Sequence, residues 1–426
     1  MQVFQALPWV STTNIYEVNI RQYTKEGTFA AFSKHLPRLK DMGVEVIWLM
    51  PITPISVINR KGSLGSYYSC SSYVAVNPEF GTLRDFKNLV QEIHRLGMKI
   101  IIDWVANHTG WDHEWTQIHP EFYHRNSDGS FRPPVADWED VIHLNFDEPA
   151  LREAMIDAMR FWVEEYGIDG FRCDMAMLVP LYFWQEARKR LDAIRPLFWL
   201  GEFDQWGEEA FGQVFDVSYT WHWMHIAQEY FHKYNKMHAL DAALAGYARK
   251  QPYQHLHAFF TTNHDENSWN GTEYEKYGPM SIPLAVFSCL WNGIPLIYSG
   301  QELPNKKRLH FFDKDLIEWN SKPELHELYQ KLFHLRKSHP ALVNGNHQSI
   351  IWRISTTDLS HIFSFVRRTA FGKEVVVALN FSAKPHRFSF NDGRVGGVYL
   401  NLFTGKETDL TKSFSIDPWG YLVLYK

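Results

Sequence analysis

Cysteine is scarce: Cys70, Cys173 and Cys289 are the only three in 426 residues. At those spacings they form neither a disulfide framework nor a CxxC metal site, and they read as free thiols. Long apolar runs are missing too, and without about 20 consecutive apolar residues no segment reads as a membrane span. Met1 to Val10 lack the charged start and apolar stretch of an export signal, so the cytoplasm is the expected compartment, with a trimmed signal as the alternative. The formal charge of -5 is spread over interspersed acids and bases, with no basic stripe for a phosphate backbone and no polybasic face for anionic lipid. Nucleic acid and membrane partners are therefore disfavoured. No Pro/Gly/Ser-rich linker and no fixed-period repeat divides the chain, and oligomeric state leaves no signature.

Aromatic residues, by contrast, are abundant. They make up 16% of the chain, with 17 Trp, 20 Tyr and 30 Phe, more than a core of this size needs. Core packing takes most of them, and a sugar cleft suits the surplus, because ring faces pack against the apolar faces of pyranoses.

Short β-branched apolar runs alternate with amphipathic segments. The strand candidates are Ile15 to Gln22, Val44 to Met50, Lys99 to Val105, Gly170 to Asp174, Phe198 to Glu202, Asp216 to Thr220, His257 to Thr262 and Ile294 to Tyr298. Helical spacing marks Gly27 to Met42, Leu83 to Leu96, Pro149 to Tyr166, Leu181 to Ile194 and Lys322 to His339. Thr82, with Asp85 three residues on, approximates a capping box. No Gly-rich phosphate loop follows the first strand, which argues against a dinucleotide-binding sheet. An eightfold βα alternation predicts an α/β fold of the (β/α)8 TIM-barrel type, built from residues 1–108 and 148–342. Residues 109–147 interrupt it as an inserted loop domain after the third strand, long enough to read as functional. From 343 to 426 the helical period gives way to alternating runs such as His361 to Arg367, Glu374 to Asn380 and Tyr421 to Tyr425, which predict a C-terminal antiparallel β-sandwich domain.

In such a barrel, polar residues at the C-terminal ends of strands meet at one mouth. The chain puts Asp103, Asn107 and His108 after the third strand and Arg172 and Asp174 on the fourth. Glu202 ends the fifth strand, and Asn263, His264 and Asp265 follow the seventh. A lone carboxylate at a strand end is more often a cap or a surface charge, but this joint arrangement supplies what glycoside cleavage needs: one carboxylate to attack and one acid to release the leaving oxygen. Arg172, two residues before Asp174, is expected to keep it ionised as the nucleophile. Glu202 follows the apolar Phe198-Trp199-Leu200, a setting that suits a proton-holding general acid. A zinc reading of His108 and His264 with Asp103 lacks both an HxxxH spacing and a third nitrogen. Cys173 falls on the opposite strand face from Arg172 and Asp174 and reads as core.

At these residues the chain resembles the α-amylase family of glycoside hydrolases, family 13. The resemblance runs through Asp103-Trp104-Val105-Ala106-Asn107-His108, Gly170-Phe171-Arg172-Cys173-Asp174, Gly201-Glu202 and Phe260-Thr261-Thr262-Asn263-His264-Asp265, four motifs in family order. It implies Asp174 as nucleophile, Glu202 as acid/base and Asp265 as the third carboxylate, which binds sugar hydroxyls. It further implies Tyr68, Asp103, His108, Arg172 and His264 as substrate contacts, with Tyr68 stacking on the reacting ring. No cofactor is required for the chemistry. The family's structural calcium would have Asn107 as its ligand. Where many relatives carry a Lys-His pair beyond the nucleophile, this chain has Met177 and Leu178, and Ser72-Tyr73 replaces the family's Asp-Tyr. These departures bear on acceptor binding and on the metal. The implied function is retaining hydrolysis of α-1,4-glucosidic bonds in starch, maltodextrins or maltooligosaccharides. Transglycosylation or isomerisation through the same intermediate is the alternative, and an inactive glucan-binding protein is the third reading.

Overall fold

A computed structural model describes residues 4, 7–234, 236–250, 255–345 and 349–426. Eight parallel strands close a barrel in sequence order: β1 Ile15–Val18, β2 Val46–Leu49, β3 Lys99–Trp104, β4 Gly170–Cys173, β5 Phe198–Asp204, β6 Val217–Tyr219, β7 Leu256–Phe259 and β8 Ile294–Tyr298. Each expected run contributes one strand. The first is shorter than expected, because Gln22 bonds back to Asn19 through the main chain (3.2 Å), and Ile20–Tyr23 forms a helical turn. The fifth is longer and runs past Glu202 to Asp204, across a register shift against β6.

Amphipathic segments form the outer layer. Thr82 and Asp85 make both halves of the capping box that starts helix Leu83–Arg95. The expected helix Gly27 to Met42 divides into Phe29–Ser33 and Leu36–Met42, because Pro37 lacks the N–H to continue the first and suits the opening turn of the second. Trp221–Phe231, Met237–Lys250 and Ser281–Leu290 are further helices. The last is buried along its whole length except Ile282, so it carries no polar stripe for periodicity to detect. Cys70, Cys173 and Cys289 are buried free thiols. Among the described residues no helix is long and apolar enough to cross a membrane.

The C-terminal strands are β9 Ser349–Arg353, β10 Ile362–Thr369, β11 Glu374–Asn380, β12 His386–Phe388, β13 Val398–Asn401, β14 Glu407–Asp409, β15 Phe414–Ile416 and β16 Tyr421–Tyr425. Six form an antiparallel sheet in the order β9-β10-β11-β16-β13-β14, while β12 and β15 pair as a separate ribbon. Alternation divides the faces: Phe363, Phe365, Val377 and Leu379 join the barrel core, whereas Ile362 and Ala378 pack on Phe388 and Ile416 of the ribbon. The sandwich's second layer is thus only two strands wide there. Buried Arg367 ties the sheet to the barrel, donating to Trp291 O (3.1 Å) and Asn344 Oδ1 (2.8 Å).

Candidate active site

The parallel strands aim their C-terminal ends at one mouth, where a cavity of about 410 Å³ opens. Asp174 and Glu202 lie in its floor, with Tyr68, His108 and Asp265 around them. The inserted segment supplies the roof. His108–Thr109 and Ile142–His143 pair as a two-residue ladder, and Trp115, Phe122, Tyr123 and Leu144 of the insertion are buried in continuity with the barrel core. Lys61, in the loop after β2, reaches Asp140 Oδ1 (3.1 Å) and joins that loop to the insertion.

Arg172 organises the floor. Fully buried, its Nη1 contacts Asp103 Oδ1 (2.8 Å) and Asp174 Oδ1 (2.9 Å), its Nη2 pairs with Glu202 Oε2 (2.7 Å), and the Tyr219 hydroxyl lies 3.3 Å from Nε. Three carboxyl groups around one guanidinium are more negative charge than one cation balances. Burial and the neighbouring Glu202 push Asp174 well above the usual carboxylate range, against the pull of Arg172. Arg172 contacts Asp174 as expected, but its pull is outweighed by burial and Glu202.

Local backbone aims the two groups at each other. The register shift between β5 and β6 falls at Gly201 to Asp204, and such a bulge re-aims the side chain it carries, here Glu202. Met175, directly after Asp174, is held in the left-handed region (φ 39°), which costs a non-glycine residue on the order of 1 kcal/mol or more. That turn lets its N–H donate to Glu202 Oε2 (2.8 Å). At Gly170, at the other end of β4, a Cβ would stand 2.0 Å from Phe198 O, so only glycine allows β4 and β5 to approach here.

Across the cavity, the Tyr68 hydroxyl donates to Asp103 Oδ2 (3.0 Å) and lies 2.7 Å from His264 Nε2, while Trp48 Nε1 donates to the same carboxylate oxygen (3.2 Å). His264 is clasped between Glu17 at Nδ1 and Asp265 at Nε2, the latter at 3.2 Å. Although burial opposes it, Asp265 and Glu17 push His264 well above the ordinary histidine range. The same contact holds Asp265 below the usual carboxylate range, facing the cavity with 41% of its side chain exposed. His108 is the opposite case: burial lowers it to about 3 and keeps it neutral.

The structure therefore gathers Tyr68, Asp103, His108, Arg172, Asp174, Glu202, His264 and Asp265 at one mouth. Asn107 is buried beside them, its amide donating to His108 Nδ1 (3.2 Å). Calcium takes six to eight oxygens. Among the described residues no three Asp, Glu, His or Cys side chains bring donor atoms within 4.8 Å of one another at Asn107. Of the tryptophans in cleft-forming loops, Trp138 lines the cavity, whereas Trp115 packs within the insertion and Trp206 stacks on His222 at 4.0 Å.

Sequence reasoning missed Glu17, Met175, Trp269, Phe311 and Phe312. A glutamate inside the apolar strand Ile15-Tyr16-Glu17-Val18 was a usable signal, since a buried acid needs a partner. The aromatic wall had none. Trp269 stands on a π-helical turn, Glu266–Asn270, directly after Asp265, and meets Phe311 (5.3 Å) and Phe312 (5.6 Å) from the loop after β8. Phe311 in turn lies parallel to Tyr68 at 6.1 Å.

An acid pair bridged by one cation, sunk at the mouth of a parallel barrel and walled by rings, is the equipment of a glycoside hydrolase. The catalytic-domain model of α-amylase matches residues 12–131 and 135–322, and the chain belongs to the α-amylase family. It is 25% identical to α-amylase 2 of Dictyoglomus thermophilum over 99% of this chain and 77% of that protein. The match to α-amylase MalA of Haloarcula japonica takes in 90% of this chain and 57% of that protein, and the match to α-amylase 3 of Dictyoglomus thermophilum takes in 46% and 44%. Among solved structures, an α-amylase from Lactobacillus plantarum superposes with a TM-score of 0.89 at 29% identity, covering 99% of this chain and all of that one. A maltogenic α-amylase from Thermotoga neapolitana gives 0.88 at 28% identity, covering 98% and 99%.

Proposed function

We propose that the protein cleaves α-1,4-glucosidic bonds of starch, maltodextrins or maltooligosaccharides with retention, Asp174 being the nucleophile and Glu202 the acid/base. One observation carries this reading: the two terminal nitrogens of Arg172 hold Asp174 and Glu202 side by side at the cavity floor. That bridging suits the separation of about 5 Å used by retaining pairs rather than the wider gap an inverting pair leaves for water.

Glu202 gives its proton to the glycosidic oxygen as the C1–O bond breaks, and an Asp174 oxygen bonds to C1 from the opposite face. The shortened glucan leaves with the proton. Water then loses a proton to Glu202 and attacks C1, and the bond to Asp174 breaks. Arg172 stabilises the Asp174 carboxylate before attack and after release. Asp265, held ionised by His264, accepts hydrogen bonds from sugar hydroxyls and opposes the positive charge that develops at C1. Tyr68 offers its ring as a platform and His264 its Nε2–H as a donor.

Incubation with maltoheptaose, followed by chromatography of the products, tests the reading. Shorter oligosaccharides are expected from the native chain, unchanged by EDTA, with a loss of roughly 10⁴-fold or more in Asp174→Asn. Longer products would assign transfer to a sugar acceptor instead, and no turnover of α-glucans would overturn the enzyme reading.

A further inference from the structure

Away from the barrel mouth, a cavity of about 1010 Å³ lies between helices Trp221–Phe231 and Met237–Lys250 and the C-terminal domain. His361 and His386 stand in its wall, and with Asp358 they form the one group of three carboxylate, imidazole or thiolate side chains among the described residues whose donor atoms lie within 4.8 Å of one another. Nothing in the cleavage of a glucan uses them.

The three come from two segments locked together by main-chain pairing. Thr357 N–H donates to Ser389 O (3.0 Å), Ile362 N–H donates to Asp358 O (3.1 Å), and His386 opens β12 against Ile416 of β15. Both imidazoles turn Nδ1 to the same carboxylate: His361 Nδ1 is 2.9 Å from Asp358 Oδ1, and His386 Nδ1 is 2.6 Å from Oδ2. Their rings stack at 4.2 Å with 22° between planes, one Nδ1 on each oxygen of the carboxylate. The distal Nε2 of His386 is buried without a hydrogen-bond partner.

We propose that Asp358, His361 and His386 bind a divalent transition ion of the zinc class, which clamps the turn before β10 to the β12–β15 ribbon. Two imidazole nitrogens and one carboxylate oxygen suit Zn²⁺, Co²⁺ or Ni²⁺, whereas Ca²⁺ and Mg²⁺ take oxygen ligands. Bonds of about 2.0–2.1 Å in a tetrahedron put neighbouring donors roughly 3.3 Å apart. The observed contacts of 2.9 and 2.6 Å therefore have to open by about 0.4 and about 0.7 Å. The His361 side chain, 46% exposed, has the freedom to move, and the His386 side chain, 15% exposed, has less. Three protein donors leave a fourth position for water. Lys384 lines the same cavity, and as an exposed flexible cation it has room to turn away.

The test uses the full chain, stripped with chelator and dialysed, then titrated near neutral pH with Co²⁺ and Zn²⁺ while visible absorption, calorimetry and thermal unfolding are followed. The expected result is one ion per chain, Co²⁺ bands of low coordination number displaced by Zn²⁺, and a higher unfolding temperature in the ion-loaded protein. His361→Ala, at a half-exposed position, is expected to leave the ion-free unfolding temperature and glucan cleavage unchanged while weakening binding at least roughly tenfold. Asp358→Asn should do the same to binding. A native chain that takes up no stoichiometric ion would show that the trio is only a hydrogen-bonded cluster and overturn the proposal, as would binding undiminished in both variants.

Discussion

Replacing Arg172 with methionine tests the electrostatics of the site most directly. Each carboxylate–guanidinium contact, with charges about 4 Å apart and an effective dielectric of about 20, amounts to roughly 4 kcal/mol of gross attraction. Arg172 makes three such contacts at N–O distances of 2.8, 2.9 and 2.7 Å, but burying the ions offsets most of the gain. Removing one partner of a buried ion pair typically costs about 3–5 kcal/mol, because the remaining charge is left uncompensated. That is the expected loss in urea unfolding at neutral pH. The loss should depend on pH with a definite sign. Burial and Glu202 already raise Asp174, burial raises Asp103, and without the cation both rise further. A carboxyl group whose folded-state pKa lies above its unfolded value stabilises fully below the unfolded value, and that stabilisation is lost as pH rises through the folded one. The deficit of Arg172→Met should therefore shrink steadily as pH falls from about 8 toward about 5, accompanied by proton uptake on folding. Glucan cleavage should drop by roughly 10³-fold, the equivalent of about 4 kcal/mol. A variant as stable as the native chain at neutral pH, or a deficit that grows on acidification, would refute this account of the floor.

Tyr68→Phe keeps the ring but removes the hydroxyl between Asp103 and His264, so kcat should fall roughly ten- to a hundredfold with KM little changed, as steady-state kinetics would report. For His264→Gln the sign follows from a folded pKa raised, against burial, by Asp265 and Glu17: the stabilisation it contributes is complete below about pH 6.5 and is lost as pH rises through the folded value. Urea unfolding over a pH series should accordingly show the variant's deficit largest near about pH 6 and smaller in alkali. Trp269→Ala removes a ring that is 53% exposed on the cavity wall, so KM for maltooligosaccharides should rise about tenfold while the unfolding free energy stays within about 0.5 kcal/mol of native.

Local and periodic information in the chain was enough for the barrel and for the residues at its mouth. Alternating apolar runs and amphipathic segments report burial on two faces and on one stripe, and those patterns are written residue by residue. Asp103, Arg172, Asp174, Glu202, His264 and Asp265 were legible because they sit at the ends of such runs, where the fold brings strand ends together. What tertiary structure alone decided are quantities that depend on neighbours distant in sequence. Burial, with the carboxyl groups of Glu202 and Asp103 around the same guanidinium, pushes Asp174 up although Arg172 is two residues away. Glu17 meets His264 across 247 residues of chain, so no window of sequence could show that this histidine is pushed upward. Trp269, Phe311 and Phe312 form a wall only because the loops after β7 and β8 fold over the same mouth. Asp358, His361 and His386 likewise become one cluster only when β12 pairs beside the turn that precedes β10. Secondary structure follows from the order of side chains along the chain, whereas charge state, cavity walls and ligand sets follow from distances through space that only packing fixes.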